Sequence, residues 1–192
     1  MILFKKIRWR NFLSTGNQFT EIDLIDASTN LIIGTNGAGK STILDALTFA
    51  LFNKPFRKIS KGQLVNTVNE KDCVVEIEFA VSKTEWKVIR AIKPNIFEIY
   101  KDGKLLDQKA AATDQQKWLE EQVLKLNYKS FTQIVVLGSA SFVPFMQLSA
   151  PNRREVIEDL LDIKIFSVMG LMLRERIRGS NERLREFSIR NN

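Results

Sequence analysis

From Ile2 to Phe12 apolar and basic residues alternate loosely, the pattern of a strand with one buried face, and Phe19 to Leu24 alternates more clearly as a partner for it. Asn30 to Ile33 reads as a short apolar strand that runs straight into a glycine-rich loop. Over Ser41 to Asn53 the apolar spacing becomes helical, with Ile43, Leu44, Leu47, Leu51 and Phe52 as the expected buried face, and Lys54-Pro55 ends the helix. From Cys73 onward the period is two again: Val75, Ile77, Phe79 and Val81 share one strand face, and Trp86, Val88, Arg90 and Ile92 follow in a second strand. Asn95 to Tyr100 is a third, and Asp102-Gly103 before Leu105 is a hairpin signal, because glycine tolerates the positive φ of a tight turn. The sum is an antiparallel meander of at least three strands.

The remainder is mostly helical in pattern. Ala110 to Leu126 predicts a helix, Phe131 to Leu137 a β-rich apolar strand, and Ser139 to Leu148 a loop with buried aromatics. A long helix is expected from Ser149-Ala150-Pro151, since a proline in the first turn lacks only an N–H that would go unbonded anyway. With Ile163 as a heptad a position, the a and d sites run Ile163, Phe166, Gly170, Leu173, Ile177, Ser180, Leu184, Phe187 and Asn191, with Arg and Glu dense between them. That predicts the beginning of a coiled-coil stem.

Composition narrows this picture. With 192 residues and 44% hydrophobic content the chain supports one core plus an appendage, read as a lobe over 1–150 and a stem over 151–192, with an expected interruption or linker scar at Gly179-Ser180. The net charge of +7 favours a polyanionic partner, although the last 19 residues, with six Arg against three Glu, supply three of those units. A single cysteine, Cys73, allows no disulfide within the chain, and no apolar run reaches the ~20 residues that cross a bilayer. The expected setting is cytoplasmic, that of a host cell if a phage encodes the chain, with no membrane contact. With no histidine present, imidazole general bases and His-type zinc sites are excluded.

Candidate chemistry concentrates in Gly34-Thr35-Asn36-Gly37-Ala38-Gly39-Lys40-Ser41, which satisfies G-x-x-x-x-G-K-[ST] at every fixed position. Glycines let the backbone N–H groups of Asn36 to Thr42 curl around phosphate oxygens, and the following helix adds its positive dipole end. Lys40 offers a point charge to the β/γ-phosphates, and the Ser41 hydroxyl is a ligand for Mg²⁺; both are candidate catalytic residues, with ATP and Mg²⁺ as the expected cofactors. No stretch of four apolar residues followed by Asp-Glu, the Walker B pattern that would hold the metal and the attacking water, is found. Val74-Val75-Glu76 and Leu160-Leu161-Asp162 come nearest, so the chain reads as half of an ATPase site.

Arg10-Asn11-Phe12, the loop together with Thr42-Ile43-Leu44-Asp45-Ala46, the stretches Leu47 to Arg57 and Ile134 to Ala140, and Arg153-Arg154-Glu155 resemble the N-terminal lobe of SMC-like DNA-repair ATPases. The resemblance is to the Rad-fifty/SbcC family, including its branch of T-even-type phage recombination endonuclease large subunits, and covers about residues 1 to 175. It implies an α/β fold, a P-loop NTPase lobe of the ABC/SMC type with an antiparallel meander and the root of a coiled-coil helix. It also implies nucleotide contacts at Arg57, Lys58 and Arg10, and Ser139 in place of a metal-contacting glutamine. The implied partners are a C-terminal lobe bearing Walker B and the signature motif, a second ATPase head in a homodimer, a metallonuclease subunit of the SbcD type at the stem root, and double-stranded DNA ends. An SMC-type tether without a nuclease is the alternative, and a transporter-type nucleotide-binding subunit is disfavoured by the heptads.

Overall fold

The computed structural model describes residues 2–25, 27, 29–107, 111–136, 144–161 and 163–190. It divides into two compact units, residues 1–128 and 129–192.

The first unit is built on one antiparallel sheet. Strands β1 (Ile2–Arg10), β2 (Thr20–Asp23), β3 (Cys73–Val81), β4 (Thr84–Ile92), β5 (Ile96–Lys101) and β6 (Lys104–Leu105) lie in the order β2-β1-β3-β4-β5-β6. Alternation sets the register: Ile7 pairs with Ile77, which pairs with Val88, which pairs with Ile99, and all four are buried on one face. On that face rests helix α1 (Thr42–Phe52), which contributes Phe49, Ala50 and Leu51 to a core shared with Phe12, Leu64 and Cys73. Asn53, in the left-handed conformation, ends α1 with its N–H on the Phe49 carbonyl. Helix α2 (Ala112–Trp118) continues into a π-helical turn over Leu119–Leu124.

The opposite face of the sheet is a ladder of alternating charge. Lys6 meets Glu21 at 2.7 Å and Asp23 at 3.3 Å, Arg8 meets Glu76 at 2.9 Å, and Lys87 meets Glu76 at 2.8 Å and Glu78 at 3.3 Å. The basic charge of Lys6, Arg8 and Lys87 is thus matched within the sheet.

Several expectations are corrected here. Asn30–Ile33 forms no strand: the segment is irregular, with Leu31 and Ile33 each 83% exposed. A strand entering a phosphate loop runs parallel to its neighbours, and this wholly antiparallel sheet offers it no seat. The buried face of α1 is Ala46, Phe49, Ala50, Leu51 and Phe52 together with Thr42, Asp45 and Thr48, while Ile43, Leu44 and Leu47 are only half-buried. Apolar content alone did not say which side of the helix the sheet would take.

The third correction lies at the start of the second unit. Residues read as a strand from Phe131 form helix α3 (Tyr128–Ile134), with the Val135 N–H on the Phe131 carbonyl at 2.8 Å, and Leu137 lies outside the described residues. Local i to i+4 bonds satisfy the backbone of this segment, so its β-propensity does not decide its structure. Farther on, Phe145 of a 3₁₀ turn (Phe145–Gln147) is half-buried.

The expected long helix is two. α4 (Ala150–Leu160) has Ser149 at its N-cap position, without a side-chain capping bond, and proline in its first turn, and α5 (Lys164–Arg190) follows. Ser167 donates to Glu158 at 2.6 Å across the break. α5 is continuous through Gly179 and Ser180, and its seam residues Phe166, Leu173, Ile177 and Leu184 are exposed. No helix among the described residues is long and apolar enough to cross a membrane.

Candidate nucleotide-binding site

The loop before α1 owes its path to two glycines. Gly37 and Gly39 have φ of 89° and 93°, a region that side chains avoid, so the loop can reverse twice within three residues. At Gly34 an added Cβ would lie 3.2 Å from the Ala38 Cβ, so the loop closes tightly on itself. Two backbone bonds hold the curl: the Ala38 N–H donates to the Thr35 carbonyl at 3.2 Å and the Thr42 N–H to the Gly39 carbonyl at 2.9 Å.

Lys40 folds over the loop's rim, its ammonium donating to the carbonyls of Gly34 at 2.6 Å and Thr35 at 2.8 Å. Ser41 occupies the cap position of α1 with helical φ and ψ, and its hydroxyl makes no capping bond. The side chain is exposed at the positive end of the helix.

A cleft of about 540 Å³ opens on this loop. Asn36, Gly37, Gly39, Lys40, Ser41 and Thr42 line its loop side, and Leu13, Ser14, Arg57, Gln63, Val65 and Thr67 complete the wall. The expected set is therefore brought together from Asn36 to Thr42, with Ala38 inside the turn. Arg57 joins it because the buried Asp45 carboxylate of α1 accepts from the Arg57 backbone N–H at 2.9 Å and from its Nε at 2.6 Å. Tyr128 supports the same stretch by donating to the Pro55 carbonyl at 2.9 Å; burial first, and the charge of Asp45 second, raise its pKa above the ordinary tyrosine value.

Two expected contacts stand apart from the cleft. Lys58 is exposed and does not line it. Arg10 lies on β1 opposite Val74, with its guanidinium 5.1 Å from the centre of the Phe19 ring, beside Arg8 at 4.8 Å. Leu13 and Ser14 reach the cleft in its place. Ser139 lies outside the described residues. Among the described residues no group of three His, Cys, Asp or Glu side chains is placed to hold a metal ion.

Sequence reading missed the far wall. Gln63 carried a faint signal, the Ser60-x-x-Gln63 spacing of a capping box, and its Oε1 accepts from the Ser60 N–H at 2.8 Å. Ser14, Val65 and Thr67 carried none, because only the tertiary fold brings their segments to the loop.

Comparison with known proteins places this geometry in a family. A family model described as an AAA domain matches residues 6–178. The exonuclease subunit 2 of Escherichia phage RB69 is 42% identical over 92% of this chain and 31% of that protein. The DNA double-strand break repair Rad50 ATPase of Thermoplasma volcanium is 27% identical over 92% of this chain and 20% of its own length. The chain thus spans about a third or less of the curated relatives it matches. The solved Smc head domain with an extended coiled coil from Pyrococcus furiosus superposes with a TM-score of 0.58 at 18% identity, covering 96% of this chain and 48% of that one, a likeness of fold. The chain belongs to the AAA domain family, and over the part of their length that it spans it is similar to a phage exonuclease subunit 2 and to Rad50-type ATPases.

Proposed function

We propose that the chain binds ATP with Mg²⁺ at the cleft beside α1, as one half of an ATPase head. The observation that carries this is the loop itself. Gly37 and Gly39 hold positive φ in a tightly closed loop, and the exposed side chains of Lys40 and Ser41 stand at a helix N-terminus, where a phosphate would be received. Lys40, now held by two carbonyls, would exchange these for phosphate oxygens, a stronger partner for an ammonium group. Asn36 to Thr42 would cradle the phosphates, and Arg57, oriented by Asp45, would meet the nucleotide from the wall. Mg²⁺ would be held by Ser41 and by phosphate oxygens, and when bound it neutralises charge on the phosphates. Titration calorimetry with ATP on Lys40→Ala tests the reading. Affinity should fall, and unchanged binding would move the site elsewhere.

The head is incomplete without carboxylates for the metal and the attacking water. Uncovered apolar side chains, Leu31 to Ile33 on the irregular segment and the half-buried Ile43, Leu44 and Leu47 on α1, support a C-terminal lobe that supplies both the missing strands and those carboxylates. In this reading two such heads dimerise on ATP and regulate a partner metallonuclease acting on double-stranded DNA ends. Support comes from the relatives named exonuclease subunit and double-strand break repair ATPase. Ile165 and Met169, 60% and 58% exposed near the start of α5, are proposed as the nuclease's docking point. Co-purification of a metallonuclease with the full protein separates this from a DNA tether that has no nuclease.

A further inference from the structure

The cleft wall formed by Leu13 and Ser14 belongs to a turn that is held from outside by side-chain amides. Asn11 and Leu13 both have φ in the left-handed region, 49° and 54°, a conformation that costs a branched side chain on the order of 1 kcal/mol and persists only where neighbours enforce it. Backbone bonds supply part of that force: the Asn11 N–H donates to the Gly16 carbonyl at 2.8 Å and the Leu13 N–H to the Leu64 carbonyl at 2.7 Å.

The rest comes from Asn66. Its buried amide donates to the carbonyls of Leu13 at 3.0 Å and Thr15 at 3.1 Å, and its oxygen accepts from the N–H groups of Val68 at 2.9 Å and Asn69 at 3.0 Å. All four hydrogen-bonding positions of one primary amide are used, so no other side chain of that size can replace it. Asn69 extends the web by donating to Asn11 Oδ1 at 2.7 Å, and Asn11 in turn donates to Asn17 Oδ1 at 3.0 Å and to the Asp72 carbonyl at 3.3 Å. The web ties the turn to the segment that presents Val65 and Thr67, two further wall residues.

We infer that Asn66 is a positioning residue for the nucleotide cleft, setting where the Leu13–Ser14 wall stands relative to the phosphate loop without touching the ligand. The inference rests on the ATP reading above. It assigns the phosphate loop to the phosphates and the Asn66-held wall to the rest of the nucleotide, since Leu13 and Val65 are apolar and carry no charge for phosphate.

Two probes separate the two sides. ATP uses the whole cleft, whereas tripolyphosphate needs the loop alone. In Asn66→Asp, which keeps the shape but loses both N–H donors and adds a charge, ATP affinity should fall about tenfold, roughly the effect of one hydrogen bond's worth of misplaced wall contact, while tripolyphosphate affinity stays within about twofold. Asn69→Ala, which leaves the Asn66 side chain intact, should shift the same ratio in the same direction by a smaller factor and covers the case in which Asn66→Asp does not fold. Equal loss of both probes, or no loss of either, in folded protein overturns the inference. Lys40→Ala, run in parallel, should weaken both probes. Unchanged tripolyphosphate binding there overturns the ATP reading itself, whereas a normal Lys40→Ala result beside an unmoved ratio in the asparagine variants overturns only the role given to Asn66.

Discussion

Asp45 and Arg57 form a bidentate pair in which a fully buried carboxylate on α1 holds both the backbone N–H and the Nε of a residue that is nearly half exposed at the cleft. The pair joins the helix that follows the phosphate loop to the segment that faces it across the cleft. Among the described residues Arg57 is the cation paired with Asp45, so removing Arg57 leaves a buried charge, while removing the charge of Asp45 releases Arg57 to solvent. A double-mutant cycle with Asp45→Asn and Arg57→Ala should give a coupling of about 1–2 kcal/mol in stability, the lower end of buried-pair values because Arg57 is partly screened. Chemical denaturation of the four proteins measures it. ATP affinity should fall in both single variants, and additive stabilities would show the pair to be incidental.

Lys40→Ala should lower ATP affinity by about 1–3 kcal/mol, the worth of a charge-assisted contact, and leave the thermal midpoint of the ligand-free protein nearly unchanged. The second half follows from the exposure of Lys40, whose ammonium bonds only loop carbonyls. Calorimetry and a melting curve on the same preparation check both halves.

The 192-residue chain should hydrolyse ATP hardly at all, and adding a C-terminal lobe should restore turnover. Leu31→Ser with Ile33→Ser should not destabilise the isolated chain, because both side chains are 83% exposed, yet it should abolish that restoration. Steady-state phosphate release with and without the lobe reads this out. Loss of stability in the isolated double variant would mean that Leu31 and Ile33 are already covered.

Glu76 gives the fold an acid-sensitive joint. Burial alone would raise its carboxyl, but hydrogen bonds from Lys87 and then Arg8 outweigh that and hold it below the ordinary 4.5. A depressed carboxylate contributes stability that is complete above its unfolded value and is lost as pH falls through the folded one. Stability should therefore decline below about pH 4.5, and Glu76→Gln should flatten that decline while costing about 1–3 kcal/mol at neutral pH. Denaturation midpoints from pH 2 to 7 are the measurement.

DNA binding by the assembled protein should weaken steeply with salt, as phosphate contacts by several cations require. Lys6→Gln with Lys87→Gln should leave it unchanged, since both cations are committed to carboxylates in the sheet ladder. A titration over a range of salt concentrations decides, and a reduced slope in that variant would place DNA on this face.

What the sequence determined by itself is the chemistry that spacing encodes. Gly37, Gly39, Lys40 and Ser41 could be assigned because a phosphate nest needs those residue types at those intervals, and the meander could be read because Val75 to Val81 and Trp86 to Ile92 alternate. Tertiary structure decided the rest. Asn30 to Ile33 is apolar enough for a strand but has no parallel neighbour, so its local preference goes unrealised; Phe131 to Ile134 is β-rich yet helical, its backbone satisfied by i to i+4 bonds instead. The far wall of the cleft, Ser14, Val65 and Thr67, was invisible for the same reason: those residues are generic alone and meet the loop only when Asn66 closes bonds over a separation of about fifty residues. Local periodicity reports what a segment can do; which neighbour satisfies its backbone and covers its apolar side is a property of the whole sheet.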